Sequence, residues 1–129
     1  MISEAQCMEL ILSSVPEFGQ AWEEHRNYWK EEEAGLCNDV SAFSDYVADQ
    51  INQGNRDNLK TIFDLIEELL TDGDQGVKNV AATCFLENLQ NLASADGLYS
   101  PDFVPFLGPN SRAYCKAWDD FTGMKTEGL

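Results

Sequence analysis

The sequence has few basic residues. Eight Lys and Arg residues stand against 23 Asp and Glu residues, so the formal net charge is −15 at pH 7 and the sequence pI is near 4.1. Nucleic acids and anionic membranes attract proteins mainly through Lys and Arg side chains, which neutralise phosphate groups. We therefore predict that the protein binds neither nucleic acid nor a membrane.

Side chains that would supply metal ligands or a catalytic base are also scarce. His25 is the single histidine, and the four cysteines, Cys7, Cys37, Cys84 and Cys115, contain no CxxC pair. A zinc site needs closely spaced ligands, and a disulfide framework is typical of smaller secreted chains. We predict free cysteines in a reducing cytoplasm, with no metal and no cofactor.

Long hydrophobic runs are missing as well. No stretch approaches 18 apolar residues, and the first residues, MISEAQCMELILSSV, lack the basic region of a signal peptide. The chain is nevertheless 43% hydrophobic over 129 residues, which is enough to bury a core. These properties predict one cytoplasmic domain that covers residues 1–129.

Strand patterns are nearly absent, and apolar residues recur at helical spacing along the whole chain. Capping boxes at Ser3–Gln6 and Ser14–Glu17 predict the first two helices. The later helices are predicted to begin near Asn38 or Asp39, Asn55, Val77 and Ser111, with Asp72 or Asp74 as a cap. Gly54 and Gly123 are predicted to end the third and the last helix. The last helix is predicted to place Tyr114, Ala117, Trp118 and Phe121 on one face. The fold class is therefore all-α with about six helices.

The stretch LIEELLTDGDQGVKNVAATCFLENL, residues 65–89, resembles one unit of an armadillo or HEAT helical repeat. An apolar helix precedes an Asp- and Gly-rich loop, and the next helix opens with Val77-Lys78 and the small pair Ala81-Ala82. The resemblance implies a short armadillo/HEAT-like right-handed α-superhelix. A compact orthogonal helical bundle is the alternative, because a tight helix pair with a capped turn has similar features.

The segment FVPFLGPNSRAYCKAWDDFTG, residues 103–123, is similar to the end of an uncharacterised family of small, acidic, all-helical bacterial proteins. The segments VPEF and ATCFLENL and the helix that contains Trp22 and Trp29 extend this resemblance. It implies no catalytic residue. Members of the family look like immunity-type proteins, by association only.

His25 is the one conventional general base, and it lies on an apolar stripe with Trp22 and Trp29. A packed histidine with one hydrogen bond is the plain interpretation. The alternative is a ligand-binding or enzymatic pocket that consists of Trp22, His25, Tyr28 and Trp29. Adjacent helical side chains diverge by about 100°, so we interpret the pairs Glu67-Glu68 and Asp119-Asp120 as solvated.

The negative charge is concentrated in the first half of the chain. Residues 1–72 contain 16 acidic and 4 basic residues, a net charge of −12, against −3 for 7 acidic and 4 basic residues in 73–129. We predict a non-enzymatic module that binds a protein partner, with neutralisation of a basic toxin as one form. The predicted acidic patch consists of Glu23, Glu24, Glu31, Glu32, Glu33, Asp45 and Asp49. A structural homo-oligomer that uses the apolar loop 98–107 is a third hypothesis, and the oligomeric state is left open.

Overall fold

The computed structural model describes residues 1–30 and 32–129, and its regular elements are helices. The α-helices are α1 (Glu4–Ser14), α2 (Gly19–Trp29), α3 (Leu36–Asn52), α4 (Leu59–Asp72), α5 (Gln75–Val80), α6 (Glu87–Ser94) and α7 (Pro109–Thr122). A π-helix, Ala81–Leu86, joins α5 to α6, and 3₁₀ turns occupy Pro16–Phe18, Ser100–Asp102 and Val104–Phe106. The predicted all-α class is confirmed.

Several helix ends lie where the sequence predicts them. The Asp74 carboxylate accepts a hydrogen bond from the Val77 N–H at 2.9 Å and caps α5. Gly54 and Gly123 have φ angles of 81° and 75° after α3 and α7, a conformation that glycine adopts without steric cost.

Three helix starts differ from the prediction. Helix α2 begins at Gly19 after a 3₁₀ turn, without a capping box at Ser14–Glu17. Helix α3 begins at Leu36 rather than after Asn38 or Asp39, and α4 begins at Leu59 rather than near Asn55.

The π-helix was not predicted, and α3 packs against it. The hydroxyls of Ser41 and Ser44 on α3 donate hydrogen bonds to the carbonyls of Cys84 and Phe85, at 3.4 and 3.2 Å. Side chains inserted beside a helix compete for its carbonyl groups, and π-segments accommodate such competition. These contacts between chain segments 41 to 43 residues apart position α3 against the π-helix.

A row of buried phenylalanines forms the centre of the core. Ring centroids lie 5.0 Å apart for Phe18 and Phe43, 5.6 Å for Phe43 and Phe85, 5.8 Å for Phe85 and Phe63, and 6.1 Å for Phe63 and Phe103. All five side chains are inaccessible to solvent. Such contacts add to the hydrophobic effect of burying large rings. The row joins α3, α4 and the π-helix to the irregular segment before α7.

Glu67 holds the N-terminus of α7, although the sequence predicts a solvated Glu67-Glu68 pair. Its carboxylate accepts hydrogen bonds from the backbone N–H groups of Asn110 and Ser111, both at 2.9 Å, and from their side chains at 2.9 and 3.0 Å. A carboxylate suits this position because free N–H groups point out of a helix N-terminus. Only part of the predicted apolar face of α7 meets the core: Tyr114 packs against it, whereas Phe121 is 84% exposed, and the buried residues of the helix are Ser111 and Cys115.

The prediction of four free cysteines is wrong. Cys37 at the start of α3 and Cys84 in the π-helix form a disulfide with a Cα–Cα distance of 5.5 Å. Their separation of 47 residues hides the pair in the sequence. Cys7 and Cys115 are free and buried, and burial raises the pKa of their thiols to about 11 and about 12. Neither thiol is activated as a nucleophile, because the thiolate is the reactive form.

The arrangement is compatible with the compact bundle given above as the alternative fold. One cluster of buried side chains runs from Cys7 in α1 to Cys115 in α7. Helix α2 packs on this cluster through Ala21 and Trp22, although none of its side chains is fully buried. In residues 1–30 and 32–129, no helix combines the length and apolar character needed to cross a membrane.

Candidate functional site

A cavity of about 610 Å³ lies where α1, α2 and the start of α3 meet. Its described walls are Glu4, Ala5 and Met8 of α1, His25, Arg26 and Trp29 of α2, the connection Lys30, Glu32, Glu33, Ala34 and Gly35, and Leu36 and Asp39 of α3. Helix α2 ends at Trp29, and Lys30 adopts a positive φ of 56° as the chain turns. Gly35, with φ 89°, then precedes α3. This connection lies along one side of the cavity.

His25 and Asp39 lie within ion-pair distance of each other in the cavity wall. His25 Nε2 lies 2.8 Å from Asp39 Oδ1, and the two side chains are 13% and 21% exposed. Because α3 begins at Leu36, Asp39 lies in its first turn, where a carboxylate is favoured by the helix dipole. The carboxylate fixes the orientation of the imidazole ring, as in histidines that bind ligands or transfer protons.

The aromatic residues of the predicted pocket divide into two groups. Trp29 lines the cavity beside His25. Trp22 packs against the imidazole with ring centroids 5.6 Å apart, and the Arg26 guanidinium lies 5.7 Å from the centroid of the Trp22 ring. Tyr28 is 81% exposed and is not among the described wall residues of the cavity. Of the four residues of the predicted pocket, His25 and Trp29 therefore line the cavity, and Trp22 packs against the imidazole ring.

The cavity carries more acidic than basic side chains. Four carboxylates, Glu4, Glu32, Glu33 and Asp39, face two cations, Arg26 and Lys30, in its described walls. Among those wall residues there is no Ser, Thr or Cys that could act as a nucleophile. Covalent catalysis through a side-chain hydroxyl or thiol therefore has no candidate in the described walls. The arrangement favours binding of a group that is cationic or donates hydrogen bonds.

The residues of the predicted acidic patch lie on several different surfaces. Glu32 and Glu33 are exposed at the cavity. Glu24 lies along a separate groove that includes Tyr46. Asp45 accepts a hydrogen bond from Asn88 on α6 at 3.0 Å. The other members are Glu23 and Asp49, which are exposed, and Glu31, which lies outside the described residues.

Few acidic side chains have a basic partner. In residues 1–30 and 32–129 the ion pairs are His25–Asp39, Arg56–Asp102 and Lys60–Asp64, with the last two at 3.1 and 2.6 Å. Most of the acidic side chains in this part of the chain are therefore not paired with a basic residue. In the same part of the chain, no three Asp, Glu, His or Cys side chains converge where a metal ion could be held.

Sequence reasoning missed Asp39 and Glu4 as members of this site. Asp39 resembles a helix cap in the sequence, and only the earlier start of α3 leaves its carboxylate free for His25. Gly35 could have indicated this earlier start of α3. Its φ angle is positive, a conformation that glycine adopts readily where the chain turns, and α3 begins at the next residue. Glu4 is 21 residues from His25 and enters the cavity through the packing of α1, which no local pattern encodes.

A family model described as "Domain of unknown function (DUF7674)" matches residues 8–123. The chain belongs to this family. The match runs from the middle of α1 to Gly123 after α7, so it includes His25, Asp39 and both cysteines of the disulfide. No curated protein and no solved structure matches the chain.

Proposed function

We propose that the protein is a non-enzymatic interaction module that binds a basic protein partner at the cavity beside His25. The observation that carries the proposal is the excess of carboxylates in the described walls, where Glu32 and Glu33 are exposed and have no ion pair with a described basic residue. A net charge of −15 would also accelerate encounter with a positively charged surface.

The binding mode follows from the shape of the site. A Lys or Arg side chain of the partner would enter the cavity, where Asp39 and Glu4 provide acceptors. Glu32 and Glu33 would pair with basic residues around it. An immunity-type protein that neutralises a basic toxin would act in this way, because it would cover the surface that attracts the toxin's substrate. An armadillo/HEAT-like superhelix would add a larger concave surface to the same site.

Capture from an extract of the native host tests this proposal. Immobilised wild-type protein is compared with Glu32→Lys/Glu33→Lys and with Asp57→Lys/Asp120→Lys, a control with the same change of net charge at exposed positions elsewhere. We expect a basic protein that the wild type and the control retain at low salt and the first variant loses. Salt near 0.15 M should weaken its binding, because the Debye length falls to about 8 Å.

The proposal would be contradicted if the wild type and both double variants captured the same proteins. The same conclusion would follow if the captured protein were acidic, or if its binding did not change with salt. Raising the salt also separates electrostatic binding from adhesion to exposed apolar side chains, which salt does not weaken.

A small-ligand-binding or enzymatic domain is the second candidate, because His25 lines a cavity and is oriented by a carboxylate. In this case the ligand would contact the imidazole and Trp29. Acidic, basic and neutral fragments can be screened by NMR against the wild type and His25→Phe. Saturable shifts at the His25 ring that vanish in the variant would support this candidate, and their absence for every fragment class would count against it.

Two further hypotheses from the sequence have lost part of their basis. The homo-oligomer hypothesis depended on the loop 98–107, where Leu98 and Phe103 are buried and Tyr99 is 57% exposed.

The cytoplasmic location depended on free cysteines, whereas a stable disulfide is typical of oxidising compartments. We keep the cytoplasm as a proposal that requires the Cys37–Cys84 bond to persist there. Alkylation of protein from freshly lysed host cells would show whether these thiols are free.

A further inference from the structure

The first turn of α3, residues 36–39, has few of the contacts that hold a helix end in place. Its N-cap is Gly35, which has no side chain that could accept hydrogen bonds from the free N–H groups of the turn. None of the four residues of the turn is buried, and the buried residues of α3 begin at Val40. A segment with few buried contacts opens locally at a small cost in free energy. The position of this turn therefore depends on its links to other segments.

The Cys37–Cys84 disulfide attaches the turn to the core. Cys84 lies in the π-helix, where it belongs to the cluster of buried side chains, whereas Leu36 packs on that cluster only in part. The Asp39 carboxylate lies 2.8 Å from His25, but His25 belongs to α2, none of whose side chains is fully buried. The disulfide is therefore the firmest attachment of this turn.

The same turn forms one wall of the cavity beside His25. Leu36 and Asp39 line the cavity, and Asp39 orients the imidazole ring. The rest of α3 has six buried side chains, the first of which is Val40, so it stays packed without help from the disulfide. Loss of the disulfide would therefore release a wall of the cavity and leave the core in place.

The two cysteines of the disulfide differ in their exposure to solvent. Cys37 is exposed, whereas Cys84 is 5% exposed. A thiolate in solution therefore reaches Cys37, and Cys84 is the leaving group. The Thr83 hydroxyl donates to the Asn79 carbonyl at 2.7 Å, and its oxygen lies 3.3 Å from Cys84 Sγ. That oxygen can accept a hydrogen bond from the thiol that Cys84 becomes on reduction.

We propose that Cys37 is a thiol-exchange site through which a dithiol reductant releases the cavity wall. A thiolate of the dithiol attacks Cys37 Sγ, the bond to Cys84 breaks, and Cys84 leaves as a thiolate that takes up a proton. The second thiol of the reductant then attacks the mixed disulfide, so that the reductant gains an internal disulfide and Cys37 becomes a thiol. Two electrons and two protons pass from the dithiol to the protein. The freed turn then withdraws Asp39 from His25.

Amide hydrogen exchange measures the release of the turn. It is followed in ¹H–¹⁵N spectra of the full chain with and without dithiothreitol. The Asp39 N–H donates to the Gly35 carbonyl at 3.0 Å, and Ile66 on α4 is a fully buried reference. We expect reduction to accelerate exchange at Asp39 by about tenfold or more while Ile66 stays protected. Cys37→Ser/Cys84→Ser, which has no disulfide to reduce, should show the fast exchange at Asp39 with or without dithiothreitol.

The resonances of the His25 ring report on the loss of its carboxylate partner. Asp39→Ala removes this partner in the oxidised protein and gives the reference position of the imidazole resonances. We expect reduction of the wild type to move these resonances towards that position, and to change them less in Asp39→Ala. The readout is the ring itself, so this proposal does not depend on what the cavity binds.

Single variants test which cysteine undergoes exchange. Cys84→Ser leaves Cys37 as an exposed thiol, and Cys37→Ser leaves Cys84 as a buried one. Cys7 and Cys115 are buried in both variants and serve as slow internal references. We expect a nitrophenyl disulfide reagent to react faster with Cys84→Ser than with Cys37→Ser, because access limits the reaction.

Each of four results would overturn the proposal. Equal protection of Asp39 with and without the disulfide would show that the bond does not hold the turn. Loss of protection at both Asp39 and Ile66 would show that the whole fold, and not this turn, depends on the bond. Unchanged His25 resonances would refute the link to the cavity, and equal reactivity of the two single variants would refute Cys37 as the exchange site.

Discussion

Replacement of Glu67 tests how α7 is attached to the rest of the protein. Glu67→Ala removes all four hydrogen bonds to Asn110 and Ser111, and Ser111 is fully buried. Loss of a helix cap destabilises a protein by about 1 kcal/mol. The Ser111 N–H and hydroxyl would also be left buried and unpaired, which costs about 1–3 kcal/mol. We therefore expect the free energy of unfolding to fall by about 2–4 kcal/mol.

Urea unfolding, followed by tryptophan fluorescence and by far-UV circular dichroism, measures this change. Glu68→Ala is the matched control, since Glu68 is the adjacent residue on α4 and its side chain is exposed. Exposed substitutions of this kind change stability by about 0.5 kcal/mol or less. Equal destabilisation by the two substitutions would refute the assignment of Glu67 as the cap. Loss of α7 alone would appear as two transitions that do not coincide.

Further predictions concern the same cap, the disulfide and one close approach of the backbone. Burial alone would raise the pKa of Glu67, but the hydrogen bonds from Ser111 and Asn110 outweigh it and lower this pKa. The stabilisation that these hydrogen bonds provide is therefore present above a pH of about 4.3, the pKa of Glu67 in the unfolded chain. It is lost as the pH falls through the lower pKa of Glu67 in the folded protein. The difference in unfolding free energy between wild type and Glu67→Gln should shrink below pH 4.3, and a difference independent of pH would contradict this. Cys37→Ala/Cys84→Ala should lower the unfolding free energy by up to about 4 kcal/mol, from the entropy of a 47-residue loop. Wild type reduced with dithiothreitol should match that variant in urea unfolding, and equal stability with and without reductant would exclude the disulfide. Gly108→Ala would place a Cβ atom 2.6 Å from Glu67 Cδ, whereas Gly19→Ala meets no atom within 4 Å. The Glu67 side chain would have to move and weaken its hydrogen bonds to α7, so urea unfolding should show a loss of about 1–3 kcal/mol for the first and none for the second. The opposite order would contradict the packing at Gly108.

The features that the sequence predicted correctly are local. The helical class follows from apolar periodicity, and Asp74, Gly54 and Gly123 mark helix ends through preferences that act within one turn.

The features that it did not predict depend on contacts between distant segments. The Cys37–Cys84 disulfide, the Glu67 cap of α7 and the serine contacts to the π-helix each join residues more than 40 positions apart. Apolar periodicity and capping preferences relate residues within a few helical turns, so they cannot predict such pairs. For the candidate site, the stripe in the sequence names His25 and Trp29, which both line the cavity. The partner of His25 was missed because Asp39 had been assigned to a cap.

The rate of association between the protein and its captured basic partner is the most direct test of the proposed function. The association rate constant is measured by surface plasmon resonance at ionic strengths from 0.02 to 0.3 M, values chosen to span Debye lengths from about 20 to 6 Å. We expect the wild-type rate constant to fall at least tenfold across this range, as in electrostatically steered association. Glu32→Lys/Glu33→Lys should associate more slowly at low salt, and Asp57→Lys/Asp120→Lys should retain most of the wild-type rate. Rate constants that are independent of salt and equal in all three proteins would contradict binding through the acidic cavity.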